Sequence, residues 1–203
     1  MGIALCTIVA IPGTVGTSQA ISAQQKEELA NKRSAKFYLH TSLPSTPDVP
    51  YSVILQDGGA YLASQNTQNR PQHGHPFTGY YFTYPSEQQY DGLVSTIPGP
   101  VPMLNWMFVD EDSGELRYGI KSDTLGHVIG PWGWTADDEM LTLEEDEEAF
   151  VAVWQEKQGL WQVFWDVDAE ELDAPEEEVQ EIRLRRRPLL GYSSKLVTKD
   201  HTK

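Results

Sequence analysis

A single cysteine, Cys6, stands in 203 residues, so no intrachain disulfide can staple this fold. No Asn-x-Ser/Thr sequon is present either, and neither absence suits an extracellular life. The chain also lacks Gly-x-Ser-x-Gly, a phosphate-binding P-loop and a dinucleotide fingerprint. That removes the commonest nucleophile and nucleotide signatures, and no cofactor is implied. Charge is missing from the first 25 residues altogether. Their apolar run, residues 3–11, ends at Pro12 and is too short to span a bilayer, so no transmembrane segment is expected. Three readings of this start stand side by side. It is a tail that packs or frays, a secretory signal without the usual leading base, or an acylation site at Gly2 with Cys6 where Ser or Thr is wanted. The expected location is cytoplasmic, or secreted if the run is a signal peptide.

Bases are scarce in the second half. Residues 137–181 hold 18 of the 30 acidic side chains and one base, Lys157. The formal net charge of −15 is therefore regional, and Arg183, Arg185, Arg186 and Arg187 follow it directly. Nucleic acid is a poor partner for such a chain, because an acidic field repels phosphate. Arg185, Arg186 and Arg187 are expected to neutralise the acidic region at the surface.

What is present is β-patterned. Residues 37–41, 51–55, 60–63, 80–84, 103–109, 115–118, 150–154, 160–165 and 181–185 alternate or carry β-formers. Glycine-bearing turns at 57–59, 110–114 and 155–159 join three pairs of them. Helix signals are confined to residues 22–36, which open on a capping-box pattern. The expected fold is mainly β: one antiparallel β-barrel or β-sandwich domain over residues 35–190. A tail and short helix precede it over 1–34, and a flexible basic tail follows over 191–203. Residues 44–50, 137–148 and 170–181 read as loops, the last two solvated by like charge.

Candidate chemistry is sparse. His73 and His75 form a His-x-His pair, but the Glu that metal-binding jelly rolls place three or four residues on is replaced by Thr78 and Gly79, so no metal is predicted. His127 lies beside a Trp/Gly cluster where burial can tune an imidazole. Asp110 and Tyr118 are further candidates for proton transfer. All six Trp fall between positions 106 and 165, a density that suits either a core or an aromatic-lined pocket. Trp106, His127, Trp132 and Trp134 are the candidate ligand-binding residues.

The segments HPFTGYY (75–81), GLVSTI (92–97), PMLNWMFVD (102–110), ELRYG (115–119) and GHVIGPWGWT (126–135) resemble a largely uncharacterised family of small proteins of filamentous ascomycete fungi. The resemblance spans about residues 20–165 and implies a fungal protein. It brings no catalytic residues with it. Two functions follow. The first is a β-domain that binds a small apolar or aromatic ligand, or a basic protein partner, through a Trp-rich face. The alternative is an accessory enzyme of fungal secondary metabolism that positions an apolar intermediate and assists proton transfer.

Overall fold

The computed structural model describes residues 24, 26–28, 30–97, 103–166, 175 and 178–193. The chain divides into two compact units after Arg33. In the first, the described residues 24, 26–28 and 30–33 are helical, and Gln24 Nε2 donates to Glu28 Oε1 one turn on, at 3.2 Å. The apolar run at 3–11, Cys6, all of the 22–25 capping pattern but Gln24, and the chain beyond 193 lie outside the described residues.

Among its described residues the second unit is a β structure of fourteen strands. Seven close a ring: β1 (Ala35–Leu43), β2 (Thr46–Gln56), β3 (Gly59–Ser64), β8 (Leu116–Gly119), β7 (Met103–Val109), β6 (Asp91–Ile97) and β5 (Gly79–Thr83), which returns to β1. Every step around it is antiparallel. The expected antiparallel barrel is thus what forms. Along β1 the period-two pattern buries Phe37, Leu39, Thr41 and Leu43 on one face, as alternation requires. The tightest point is the β1–β5 step, where Phe37 pairs with Gly79. A Cβ on Gly79 would lie 2.1 Å from Phe77 Cζ and 2.7 Å from the Val94 carbonyl oxygen, so only glycine lets the strands approach there.

Three hairpins build the structure around that ring. β2 and β3 are joined by Asp57 and Gly58, both left-handed at φ 48° and 85°, the two-residue turn whose twist matches paired strands. The β7–β8 and β11–β12 hairpins (β11, Phe150–Gln155; β12, Leu160–Trp165) share a longer turn. In each a left-handed glycine, Gly114 or Gly159, donates its N–H to the carbonyl four residues back, Asp110 at 2.9 Å or Gln155 at 2.8 Å. The second strands of the three hairpins then pair with one another in a cycle. Gly59 of β3 faces Arg117 of β8, Glu115 before β8 faces Phe164 of β12, and Trp161 of β12 faces Leu62 of β3. This is a three-fold arrangement of hairpins.

The remaining strands are β4 (His75–Pro76) on β2, β13 (Val179–Glu181) on β11 and β14 (Arg185–Ser193) on β1. A separate two-stranded sheet pairs β9 (Trp132–Trp134) with β10 (Leu141–Leu143). Between strands, Ile182 and Leu184 are buried while Arg183 and Arg185 are exposed, as the alternation predicts.

Two loop expectations are corrected. Residues 46–50 belong to β2 despite Pro47 and Pro50, because β1 turns tightly at 44–45 and Pro50 needs only its carbonyl, which accepts from the Gln65 N–H at 2.9 Å. Residues 137–148 enclose β10, whose Leu141 and Leu143 are fully buried between acidic turns. Composition hid a three-residue strand there. Of the third expected loop, residues 179–181 form β13, and most of 170–178 lies outside the described residues.

Gly79→Ala is expected to destabilise by about 1–3 kcal/mol through overpacking, and Gly159→Ala by about 1 kcal/mol, since its left-handed backbone is the whole cost. A Cβ at Gly159 would meet nothing within 4 Å. Denaturant midpoints of the two variants test the ranking.

Candidate functional site

The four residues expected to share a pocket are dealt to three places. Trp106, 5% exposed, joins Tyr80, Tyr84 and Val94 in a small cluster and sets its ring edge against Tyr84, 4.9 Å between centroids. Trp132, 2% exposed, belongs to the main core, where it stacks on Phe150 at 6.4 Å. Trp134 is half-buried on that same core, edge-on to Phe37 and Tyr81, with the Arg186 guanidinium 5.0 Å from its ring centre. His127 stacks on Phe108 at 5.2 Å.

His127 and Asp110 do meet, at the β7–β8 turn. Val109 and Val128 exchange backbone hydrogen bonds of 2.8 and 3.0 Å, which lays the 127–128 segment along the end of β7. There His127 Nδ1 accepts the Glu111 N–H at 3.2 Å. Asp110 Oδ1 accepts the N–H groups of Asp112 and Ser113, and Oδ2 accepts from Arg117 Nη1 at 3.3 Å. Burial pushes the Asp110 carboxyl up, but the hydrogen bonds from Ser113 and Asp112 and the nearby His127 outweigh it and hold the group below its ordinary 3.8. A carboxylate so satisfied is a poor base and a good turn keystone. Tyr118 packs partly buried on the main core, and its N–H donates to the Gly58 carbonyl at 3.0 Å, across the three-fold cycle. His73 is exposed in the 65–74 loop, and His75 sits in β4 opposite Leu55 with its Nε2 buried and unpartnered among the described residues. Among the described residues, no group of three or more His, Cys, Asp or Glu gathers as metal ligands.

The more promising surface lies on the acidic run. Tyr81 donates its hydroxyl to the Gly133 carbonyl at 2.7 Å and so fixes β9 to β5. β9 and β10 pair from Trp132↔Leu143 to Trp134↔Leu141. Beyond β10, Leu143 and Asp146 exchange backbone hydrogen bonds of 3.0 and 2.9 Å around Glu144 and Glu145, both left-handed at φ 52° and 70°. Two consecutive non-glycine residues in that conformation are strained. An open trough of about 620 Å³ runs between Pro131–Trp134 backbone and this turn, with Trp132, Trp134, Thr142, Glu145 and Glu147 on its walls.

The acids around the trough separate by use. Glu148 pairs with Arg183, and Glu139 with Arg185 at 3.3 Å, so of the three arginines expected to neutralise the acidic region Arg185 alone meets an acid among the described residues; Arg186 lies on Trp134 and Arg187 reaches the Asn69 carbonyl. Asp137 accepts from Thr135 and the Glu139 N–H, and Asp146 from the N–H groups of Glu148 and Ala149. Glu144, Glu145 and Glu147 have no side-chain partner among the described residues. Sequence reasoning found the acidic run but not this division, because pairing with arginines about forty residues away leaves no local signal.

Trp132→Ala is expected to cost about 3–5 kcal/mol, the usual scale for a deleted buried aromatic, whereas Trp132→Phe costs far less. The Trp132 Nε1 is buried without a partner, so the smaller ring forfeits no hydrogen bond. Asp110→Ala is expected to lose about 1–2 kcal/mol at pH 7. Because the folded pKa is depressed, that stabilisation is present above 3.8 and vanishes as pH falls through the lower folded value. Melts of parent and variant should converge in acid.

Residues 16–189 match the model of a family described as the fungal beta-trefoil domain. No curated protein and no solved structure matches. The three-fold cycle of hairpins agrees with a trefoil, and the fungal resemblance of the sequence agrees with the family's source. Among the described residues no helix is long and apolar enough to cross a membrane.

Proposed function

The chain belongs to the fungal β-trefoil domain family, and we propose that it is a non-catalytic binding domain whose β9–β10 trough takes a basic segment of a protein partner. The observation that carries this reading is the set of carboxylates the fold does not use. Glu145 and Glu147 stand on the trough wall and Glu144 beside it, unpaired among the described residues, while neighbouring acids are spent on arginines and turns. Self-repulsion makes such a set unfavourable for the free protein, and a cationic partner relieves it.

The shape supports the same partner. The trough is open rather than enclosed, and its walls combine Pro131 and the half-buried Trp134 with two carboxylates, while Trp132, 2% exposed, keeps its ring in the core. A Lys or Arg stem lies on the apolar wall while its head meets the acids. The strained turn at Glu144 and Glu145 presents those charges in one backbone geometry, so little ordering is left to do on binding. Complementary charge also speeds encounter and makes it salt-sensitive. His127 and Asp110, by contrast, are engaged in holding the β7–β8 turn, which favours binding over proton transfer.

The test is a titration with a fluorescent Lys/Arg-rich peptide and its Gln-substituted counterpart at low and moderate salt. Binding of the basic peptide alone, weakened about tenfold by Glu145→Gln/Glu147→Gln with an unchanged or higher melting temperature, is the expected outcome. Peptide binding indifferent to the double substitution would refute the site. An apolar probe that quenches Trp fluorescence and competes at the trough would point to a small ligand instead.

A further inference from the structure

The molecule carries a second, opposite surface feature on β1 and β14. Tyr38 pairs with Arg187 across these strands, and the Arg187 guanidinium lies 5.5 Å from the Tyr38 ring centre. Its Nη2 donates to the Asn69 carbonyl at 2.7 Å, which clamps the loop between β3 and β4 onto β14. That loop is built with care. Asn66 Oδ1 accepts the N–H groups of Gln68 and Arg70 at 2.9 and 3.1 Å, the Asn66 N–H donates back to the Arg70 carbonyl at 2.8 Å, and Gln65 bridges to Pro71. Asn69 is left-handed at φ 56°, a conformation Asn tolerates.

A cavity of about 460 Å³ opens between the loop and the strands, lined among others by Tyr38, Ser52, Gln68, Asn69, Arg70 and Arg187. Two facts make it unusual in a chain of net charge −15. None of its lining residues is acidic, and neither guanidinium has a carboxylate partner among the described residues. Ser52 is 4% exposed and accepts from Gln65 Nε2 at 2.9 Å, leaving its own proton unspent. His40, two residues from Tyr38 on β1, has its pKa lowered first by burial and then by the charges of Arg187 and Arg185.

We propose that this cavity is an anion site for a phosphate or sulfate ester of a small polar ligand, with Arg70 and Arg187 on the oxyanion and Ser52, Gln68 and Asn69 toward the rest. A guanidinium offers paired N–H donors to the oxygens of either ester, and two of them balance the charge of a phosphate monoester dianion and exceed that of a singly charged sulfate ester. The cavity is larger than a bare oxyanion fills and falls within the usual range for ligand pockets, and its polar lining suits hydroxyls. The site is independent of the β9–β10 trough and stands or falls without it.

The experiment is a two-dimensional amide NMR titration of the whole protein with inorganic phosphate and with sulfate, against sodium chloride at matched ionic strength and sodium acetate. Saturable shifts at Asn69 and Arg70 with phosphate or sulfate, weaker with acetate and absent with chloride, are expected, and the better of the two dianions tells phosphate from sulfate. Arg70→Gln, an exposed residue whose loss spares the loop clamp, should weaken the dianion about tenfold, as should Arg187→Gln, while Lys157→Gln in the β11–β12 turn should leave it unchanged. Shifts that follow ionic strength, acetate binding as tightly as the dianions, full affinity in Arg70→Gln, or equal weakening by Lys157→Gln would each overturn the site.

Discussion

The second strands of three hairpins pairing in a cycle is the constraint on which this structure depends. Each of β3, β8 and β12 uses its beginning to meet the next strand and its end to receive the previous one. No hairpin can shift register without breaking two partners, and a one-residue slip would also turn its buried face outward. The turns are therefore held to a fixed length. Gly114 and Gly159 close the same four-residue hydrogen bond, and Asp110 braces its turn with two amides and Arg117, the residue that faces Gly59 across the cycle. Asp110 and His127, two of the candidates for proton transfer, both take part in holding this turn.

The electrostatics follow from where β14 runs. Pairing with β1 places Arg185 and Arg187 on one side and Arg186 on the other, since neighbours on a strand alternate. Arg186 lies on Trp134, Arg185 meets Glu139, and Arg187 reaches Asn69. One four-arginine segment thus supports the acidic lobe, the aromatic core and the β3–β4 loop. Exposed pairs of this kind contribute little stability each, so their main effect is to fix which charges are cancelled and which are left.

Much of the fold is legible in the sequence because it is local. Alternation in residues 37–43 and 150–165 and glycine at turn positions both act over a few residues, and the strands and hairpins stand where those signals lie. β9 and β10 escape because three residues are too few to show a period, and because Leu141 and Leu143 sit among acids. Pro47 and Pro50 misdirect for a different reason: proline fixes φ and withholds a donor, but its carbonyl still accepts, as that of Pro50 does in β2. Of the candidate site, Trp132 and Trp134 were visible as residues, but the wall formed by Glu145 and Glu147 depends on a left-handed Glu-Glu turn that propensity disfavours. Arg70 and Arg187 are 117 positions apart and meet only through the fold.

Function is best sought in the groups that folding leaves over. In a chain with 30 acidic side chains against 15 basic ones, every arginine has abundant choice of partner. That Arg70 and Arg187 line one cavity without a carboxylate partner among the described residues, while Glu144, Glu145 and Glu147 stand elsewhere without an arginine among them, means that the fold keeps the two sets apart. Bringing them together would relieve repulsion in both, and the rigid three-fold frame prevents it. The two proposed sites, for a cationic partner at the trough and an anionic ligand beside the β3–β4 loop, both rest on opposite charges held apart on one frame.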